Sequence, residues 1–240
     1  MLGLPDRIRA CLFDMDGVLT ETATVHARAW KSMFDAYLRR REGEDFQPFT
    51  QQDYDEYVDG KPRYDGVRSF LAARGIDLPQ GSPSDPPGAE TIDGLGNRKN
   101  ELVLKIIHDE GVKPYPGSVR YVHAVREAGL RRAVVSSSAN TKDVLKAADI
   151  LDLFEAMVDG HVVEDKGLRG KPAPDTYLQG AEEVGASAAQ AAVFEDALSG
   201  VEAGRAGKFG LVVGVDRVGQ ADALEQHGAD IVVKDLADLL

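Results

Sequence analysis

The most informative segment of the chain is Asp14-Met-Asp-Gly-Val-Leu-Thr20, which follows directly on the short apolar run Ile8-Arg-Ala-Cys-Leu-Phe13. An apolar run of this length that ends at charged and glycine residues predicts a buried strand followed by a loop. Two carboxylates at positions i and i+2 can face one site, and the glycine after them lets the chain turn away sharply. By itself, the same composition is also typical of an ordinary turn.

The chain of 240 residues carries 40 acidic and 28 basic side chains, a formal net charge of -12. An acidic chain repels nucleic-acid backbones and anionic membrane surfaces, so we expect neither as a partner. Hydrophobic residues make up 43% of the sequence, which is enough for a core and argues against disorder. Because the sequence has no long apolar stretch and no signal-peptide pattern at its N-terminus, we expect a cytoplasmic protein.

The segment between residues 22 and 112 has helical periodicity and no strand pattern. Apolar residues recur at helical spacing from Val25 to Arg41, and a glycine follows to stop the helix. We predict further helices between Pro62 and Gly75 and from Asn97 to Gly111. Residues 78–96 are rich in Pro, Gly, Ser and Asp, a composition that predicts a loop.

Strand and helix patterns alternate after the Pro- and Gly-rich linker at Lys113–Gly117. Such alternation predicts a parallel sheet covered by helices on both faces. The first strand has no partner in the helical segment, so we expect it to join the later sheet. The sequence therefore predicts an α/β protein with a Rossmann-like parallel-sheet core from residues 1–21 and 113–240, and an inserted all-helical cap at 22–112. The later strands are predicted at Arg132–Ser136, Ala156–Val158, Ala191–Phe194, Leu211–Val213 and Ile231–Val233.

Ligands of open parallel sheets bind beyond the carboxyl ends of the strands, so polar residues at those places are candidates for a site. Taken singly, each has a structural explanation, since serines cap helices and acidic residues favour helix N-termini. A lysine in a loop is usually solvated. Their order along the chain favours one shared site, built from Asp14 and Asp16, Ser136–Ser138, Lys171, and the pair Glu195 and Asp196.

This ordered set resembles the haloacid dehalogenase superfamily, whose motifs run Asp-x-Asp-Gly, a Ser or Thr after a strand, a Lys, and a late acidic pair. Three segments are similar to the β-phosphoglucomutase subgroup of that family: Asp14 to Thr22, Lys171-Pro-Ala-Pro-Asp175 and Phe194-Glu-Asp196. Gly60, Arg63 and Arg98-Lys-Asn100 in the predicted cap strengthen the similarity. The resemblance implies phosphoryl transfer through an aspartyl-phosphate.

The resemblance assigns catalytic roles to Asp14 as nucleophile and Asp16 as general acid and base. It also implies a bound Mg²⁺, whose ligands would be Asp14, Asp16 through its backbone carbonyl, Glu195 directly or through water, and Asp196. Charge supports this interpretation. A carboxylate that attacks a phosphomonoester must overcome repulsion between anions, so a divalent cation and a lysine are needed to neutralise the phosphoryl group. Carboxylate oxygens are the ligands that Mg²⁺ prefers.

The substrate implied by the resemblance is a small phosphorylated sugar, with β-glucose 1-phosphate converted to glucose 6-phosphate through the 1,6-bisphosphate. Ser136 and Lys171 would hold the transferring phosphoryl oxygens. Arg63 would bind the second phosphate bidentately, a geometry that lysine cannot match. The full set of implied substrate contacts is Thr22, His26, Arg63, Lys99, Ser136, Ser137, Asn140 and Lys171.

Two departures from the subgroup leave alternatives open. Asp59 stands where the mutase pattern has a lysine, and residues 78–96 and 165–170 are longer than a mutase needs. A phosphatase acting on a small sugar phosphate would use the same Asp14 and Asp16, with water as the final acceptor. A non-catalytic phosphosugar-binding protein is a third hypothesis, which the intact acidic residues argue against. We expect a monomer.

Overall fold

The computed structural model describes residues 2–240, which form two compact units. The first unit contains the chain up to Thr22 and from Val112 to Leu240, and the second runs from Ala23 to Gly111. Within residues 2–240, no helix is both long enough and apolar enough to cross a membrane.

A six-stranded parallel sheet forms the centre of the first unit, in the order β3-β2-β1-β4-β5-β6. Its strands are β1 Ala10–Phe13, β2 Arg131–Val135, β3 Ala156–Val158, β4 Ala191–Glu195, β5 Leu211–Val215 and β6 Ile231–Val233. Every residue of β1 is buried, as expected for a strand covered on both faces. The predicted α/β fold with a parallel sheet is confirmed.

Helices cover this sheet and make up the second unit. Within the described residues they are α1 Thr22–Glu42, α2 Gln51–Asp53 continued by a π-helical turn Tyr54–Val58, α3 Arg63–Ala73, α4 Ile92–Glu110, α5 Pro116–Glu127, α6 Thr141–Ala147, α7 Gly160–Lys166, α8 Asp175–Glu183, α9 Leu198–Ala206 and α10 Ala221–His227. The second unit has its own aromatic core, in which Phe34 and Phe70 lie 4.2 Å apart between ring centroids.

The register of the strands brings three chain segments to one edge of the sheet. Phe13 of β1 is aligned with Val134 of β2 and with Phe194 of β4. The residues that follow these positions therefore lie side by side at the carboxyl ends of the strands. Asp14 and Glu195 are among them, which is why residues so distant in sequence meet.

The sequence-based prediction was wrong at three helices. Helix α4 begins at Ile92 rather than Asn97, because the Thr91 hydroxyl accepts a hydrogen bond from Gly94 N at 2.9 Å and caps the helix early. Helices α7 and α10 were not predicted. Each has seven residues, and α7 is fixed by Asp159, whose Oδ1 accepts bonds from two backbone amides.

The chain leaves the first unit after Thr22 and returns to it at Val112. The segments just before and just after this excursion are hydrogen-bonded to each other. Glu21 N donates to Lys113 O at 2.9 Å, and Tyr115 N donates to Leu19 O at 2.9 Å. These bonds hold the outgoing and returning chains together as a short antiparallel ribbon.

Candidate active site

A buried lysine connects the ends of three strands in the first unit. Lys171 is 3% exposed, and its Nζ lies 2.5 Å from Asp14 Oδ1 and 2.5 Å from Glu195 Oε1. A longer contact of 3.4 Å reaches the carbonyl of Val135, the last residue of β2. An ammonium has three donors, and these three acceptors account for them.

Two carboxylates dominate the electrostatics around this lysine. Burial alone would lower the pKa of Lys171, but the charges of Asp14 and Glu195 outweigh it and raise the pKa above its ordinary value. Burial also raises the pKa of Asp14, and the nearby charges of Glu195 and Asp16 add to that effect against the opposing charge of Lys171. The site therefore carries more negative charge than one lysine neutralises.

The carboxylates present suit a divalent cation. Asp14, Glu195 and Asp196 each offer an oxygen, and these atoms all lie within 4.8 Å of one another. The Asp196 carboxylate occupies the space that a side chain at residue 17 would need. A Cβ added to Gly17, where φ is +82°, would lie 1.7 Å from Asp196 Oδ2. A set made only of carboxylate oxygens fits Mg²⁺ or Ca²⁺ better than a soft metal.

Glu195 is fixed at both of its oxygens. Its Oε1 accepts bonds from Lys171 and from the hydroxyl of Tyr177, at 3.0 Å for the latter, and its Oε2 accepts a bond from Ala197 N at 2.9 Å. Tyr177 was not predicted as a site residue. In the sequence, its position near the start of the helix that follows Lys171 is the one feature that pointed to it.

The second carboxylate of the first motif has a separate partner. The Thr22 hydroxyl donates to Asp16 Oδ1, and Thr20 Oγ1 lies 2.7 Å from Thr22 Oγ1. Both threonines are buried. Thr22 was predicted to contact substrate, whereas the structure places it against Asp16. Its position fits a residue that orients the Asp16 carboxylate.

The serines after β2 close a tight turn. Ser136 is buried, and its Oγ accepts a hydrogen bond from Ser138 N at 3.1 Å. The Ser138 hydroxyl in turn accepts a bond from Asn140 N at 3.1 Å, and α6 begins directly afterwards. Ser137 lies in the same turn, partly exposed. These residues are thus placed at the carboxyl end of β2, next to the strand that carries Asp14.

An arginine that was not predicted as a site residue holds the loop after β1 by a hydrogen bond. Arg217 follows β5, and its Nε donates to Gly17 O at 2.7 Å. Its Nη1 donates to Lys234 O at 2.9 Å and lies 3.3 Å from an Asp235 carboxylate oxygen. The guanidinium is stacked 3.6 Å from the centre of the Tyr115 ring. One side chain thereby joins three segments of the first unit.

Three candidate residues lie in the second unit: His26, Arg63 and Lys99. Lys99 is buried, with its Nζ 3.0 Å from His26 Nδ1 and 4.8 Å from the Trp30 ring centre. An ammonium only donates, so this ring nitrogen accepts. The Arg63 guanidinium is stacked 4.9 Å from the centre of the Tyr64 ring, and a Cβ added to Gly96 of α4 would lie 3.1 Å from Arg63 Cγ.

Comparison with known proteins identifies the family. A family model described as haloacid dehalogenase-like hydrolase matches residues 8–208. The chain belongs to the haloacid dehalogenase-like hydrolases. Within this family, it is 56% identical over its whole length to a β-phosphoglucomutase of Mycobacterium bovis, of which the match covers 94%. It is 38% identical over 95% of its length to part of an uncharacterized glycosyl hydrolase of Mycobacterium tuberculosis, covering 17% of that protein.

Solved structures of haloacid dehalogenase-like proteins share this fold. The crystal structure of a β-phosphoglucomutase from Clostridium difficile matches 97% of this chain and 93% of its own, with a TM-score of 0.77 and 22% identity. At that identity, the likeness concerns the fold.

Proposed function

We propose that the protein is a Mg²⁺-dependent β-phosphoglucomutase that interconverts β-glucose 1-phosphate and glucose 6-phosphate through the 1,6-bisphosphate. The observation that carries the proposal is the buried contact of Lys171 with Asp14 beside two further carboxylates. The 56% identity to a protein of that name supports the choice of substrate. We also propose that the first unit is the catalytic core and the second a cap.

Asp14 is the nucleophile in this proposal. A bond forms between its carboxylate oxygen and phosphorus as the bond from phosphorus to the sugar oxygen breaks. Lys171, already 2.5 Å from Asp14 Oδ1, neutralises charge on the phosphoryl oxygens, and Ser136 supplies a hydroxyl at the end of β2. Bound Mg²⁺, held by Asp14, the Asp16 carbonyl, Asp196 and, directly or through water, Glu195, would supply the remaining positive charge.

Asp16 transfers the proton. It protonates the departing sugar oxygen and later removes a proton from the hydroxyl that attacks the aspartyl-phosphate. The Thr22 hydroxyl orients this carboxylate by the hydrogen bond to Oδ1. The aspartyl-phosphate then transfers its phosphoryl group to the free 6-hydroxyl of β-glucose 1-phosphate, which forms the 1,6-bisphosphate. Transfer of the 1-phosphoryl group of this bisphosphate to Asp14 releases glucose 6-phosphate and restores the aspartyl-phosphate.

The proposed cap residues bind the part of the substrate that does not react. Arg63 presents a planar guanidinium suited to the non-transferring phosphate. Lys99 and His26 bind the substrate as a pair, and Ser137 and Asn140, in the turn between β2 and α6, also bind it.

Product analysis tests this proposal. The protein is incubated with Mg²⁺, β-glucose 1-phosphate and a trace of glucose 1,6-bisphosphate, and both glucose 6-phosphate and free phosphate are followed. We expect glucose 6-phosphate in large excess, and no turnover after chelation of the metal. Free phosphate as the main product would instead identify a sugar-phosphate phosphatase, the alternative that Asp59 favours because it replaces the mutase lysine.

The variant Asp14→Asn tests the nucleophile. The side chains have the same shape, so we expect phosphoryl transfer to be abolished while the protein remains folded, as judged by circular dichroism. Retained turnover would remove Asp14 from its proposed role.

A further inference from the structure

Tyr177 on α8 touches the two charged residues that stand next to Asp14. Its hydroxyl donates to Glu195 Oε1 at 3.0 Å, and its ring centre lies 5.0 Å from Lys171 Nζ. The side chain is fully buried. One residue therefore offers a hydrogen bond to the carboxylate and a π-face to the ammonium.

Packing fixes the Tyr177 ring. It meets Phe209 edge to face, with ring centroids 6.0 Å apart and an interplanar angle of 72°. Tyr177 also lies in the first turn of α8, whose start at Asp175 comes four residues after Lys171. The tyrosine and the lysine thus share one short segment of chain, and neither needs to reorganise to keep the contact.

Glu195 is enclosed on its other sides. Ala197 N donates to its Oε2, and the backbone of Gly200 lies so close that an added Cβ would be 1.7 Å from Oε1. The Tyr177 hydroxyl supplies the remaining neutral donor to Oε1. These contacts restrain the Glu195 carboxylate to one position, and its hydrogen bond to Lys171 restrains the Lys171 ammonium in turn.

This fixed position matters at the moment of reaction. When a phosphoryl group reaches Asp14, Lys171 must share its donors with the phosphoryl oxygens, and its bond to Asp14 Oδ1 is then in competition. The contacts that stay unchanged are those with Glu195 and the Tyr177 ring. We propose that Tyr177 is a positioning residue for phosphoryl transfer, which holds Glu195 and through it keeps Lys171 aimed at the phosphoryl group. This inference rests on the proposed function.

The test is the variant Tyr177→Phe, which keeps the ring and removes the hydroxyl. A hydrogen bond to a charged group is worth roughly a tenfold change in rate when it acts in the transition state. We expect the rate of aspartyl-phosphate formation with glucose 1,6-bisphosphate, measured in a single turnover, to fall about tenfold. The KM for β-glucose 1-phosphate should remain within about twofold, because the substrate itself is not contacted.

Tyr37 offers a matched control. It is as deeply buried in the core of the second unit, and in the described structure its hydroxyl has no hydrogen-bond partner. Tyr37→Phe should leave the single-turnover rate and the KM unchanged. A comparable loss of rate in both variants would show that Tyr177 acts only through general packing, and would overturn the inference.

A double-mutant cycle with Glu195→Gln identifies the route of the effect. If Tyr177 acts through Glu195, adding Tyr177→Phe to the Glu195→Gln variant should lower the single-turnover rate by much less than tenfold. Full additivity, or an unchanged rate in Tyr177→Phe alone, would overturn the positioning role. A wild-type protein that forms no aspartyl-phosphate would instead refute the proposed function, so the two failures are distinguishable.

Discussion

Gly17 and Asp196 lie so close that no side chain larger than the glycine hydrogen fits between the backbone and the carboxylate. A Cβ at Gly17 would be 1.7 Å from Asp196 Oδ2. This close approach is the reason that a glycine follows the Asp-x-Asp pair, beyond its φ of +82°.

The first prediction concerns Gly17→Ala. The added methyl group would push the Asp196 carboxylate away from the other two carboxylates, and we expect turnover to fall by about a hundredfold, equivalent to ~3 kcal/mol of lost transition-state stabilisation. Gly129→Ala is the matched control, because Gly129 has a φ of +73° and nothing lies within 4 Å of its added Cβ. It should cost about 1 kcal/mol of folding stability from backbone strain and leave turnover unchanged. Equal turnover in the two variants would contradict this explanation.

Thr22→Val tests the orientation of Asp16. Valine keeps the shape and removes the donor to Asp16 Oδ1, so we expect kcat to fall by roughly tenfold with little change in thermal stability. Thr176→Val is the control, because Thr176 is equally buried and its hydroxyl has no partner in the described structure. A loss of kcat in the control as large as that in Thr22→Val would refute the specific role of Thr22.

Arg217→Met should loosen the loop after β1. The variant leaves Gly17 O and Lys234 O without their donor and removes the stacking on Tyr115. We expect the free energy of unfolding, measured in urea, to fall by about 2–3 kcal/mol. Arg205→Met is the comparison. Its pairing with Asp230 is exposed and 3.9 Å long, so its loss should cost less than about 0.5 kcal/mol.

A pH effect is expected in the second unit. Burial raises the pKa of Asp53, but hydrogen bonds from Thr50 and the charge of Arg74 outweigh it, so the pKa lies below its ordinary value. The ionised Asp53 carboxylate therefore contributes fully to the free energy of unfolding above the ordinary aspartate pKa of about 4. This contribution is lost as the pH falls through the lower pKa of Asp53 in the folded protein.

Urea unfolding of Asp53→Asn measures this effect. The single tryptophan, Trp30, belongs to the second unit and reports its unfolding by fluorescence. We expect the variant to be less stable by about 1 kcal/mol at pH 6 and the difference from wild type to shrink towards pH 3. Asp65→Asn, which breaks an exposed pair with Arg68, should show little difference at either pH. A constant difference for Asp53→Asn would rule out the linkage.

Strand order made part of the candidate site predictable. Asp14 follows β1 and Glu195 ends the neighbouring strand β4, so parallel pairing alone brings them to one edge. Lys171 was expected there from its motif, and the structure places its Nζ between them. The α/β class followed in the same way from the alternation of strand and helix patterns.

Other parts of the site were not accessible to sequence reasoning. Tyr177 reaches Glu195 because of how α8 is rotated against the sheet, which a helical period of apolar residues does not specify. Arg217 lies 200 residues from Gly17, and its contact depends on a loop conformation after β5. The start of α4 was misplaced because Gly94 and Gly96 weaken the helical pattern, although the close approach of Tyr64 to Gly96 requires a residue without a side chain there.

The ribbon formed by Glu21, Lys113, Leu19 and Tyr115 gives the inserted segment a single point of attachment. Because the chain departs and returns through adjacent hydrogen-bonded residues, the parallel sheet is continuous without anything that the insertion contributes to its strands. A different insertion could therefore be joined to the two neighbouring chain ends of this ribbon. Under the proposed function, such an exchange would keep the catalytic core and change the choice of substrate.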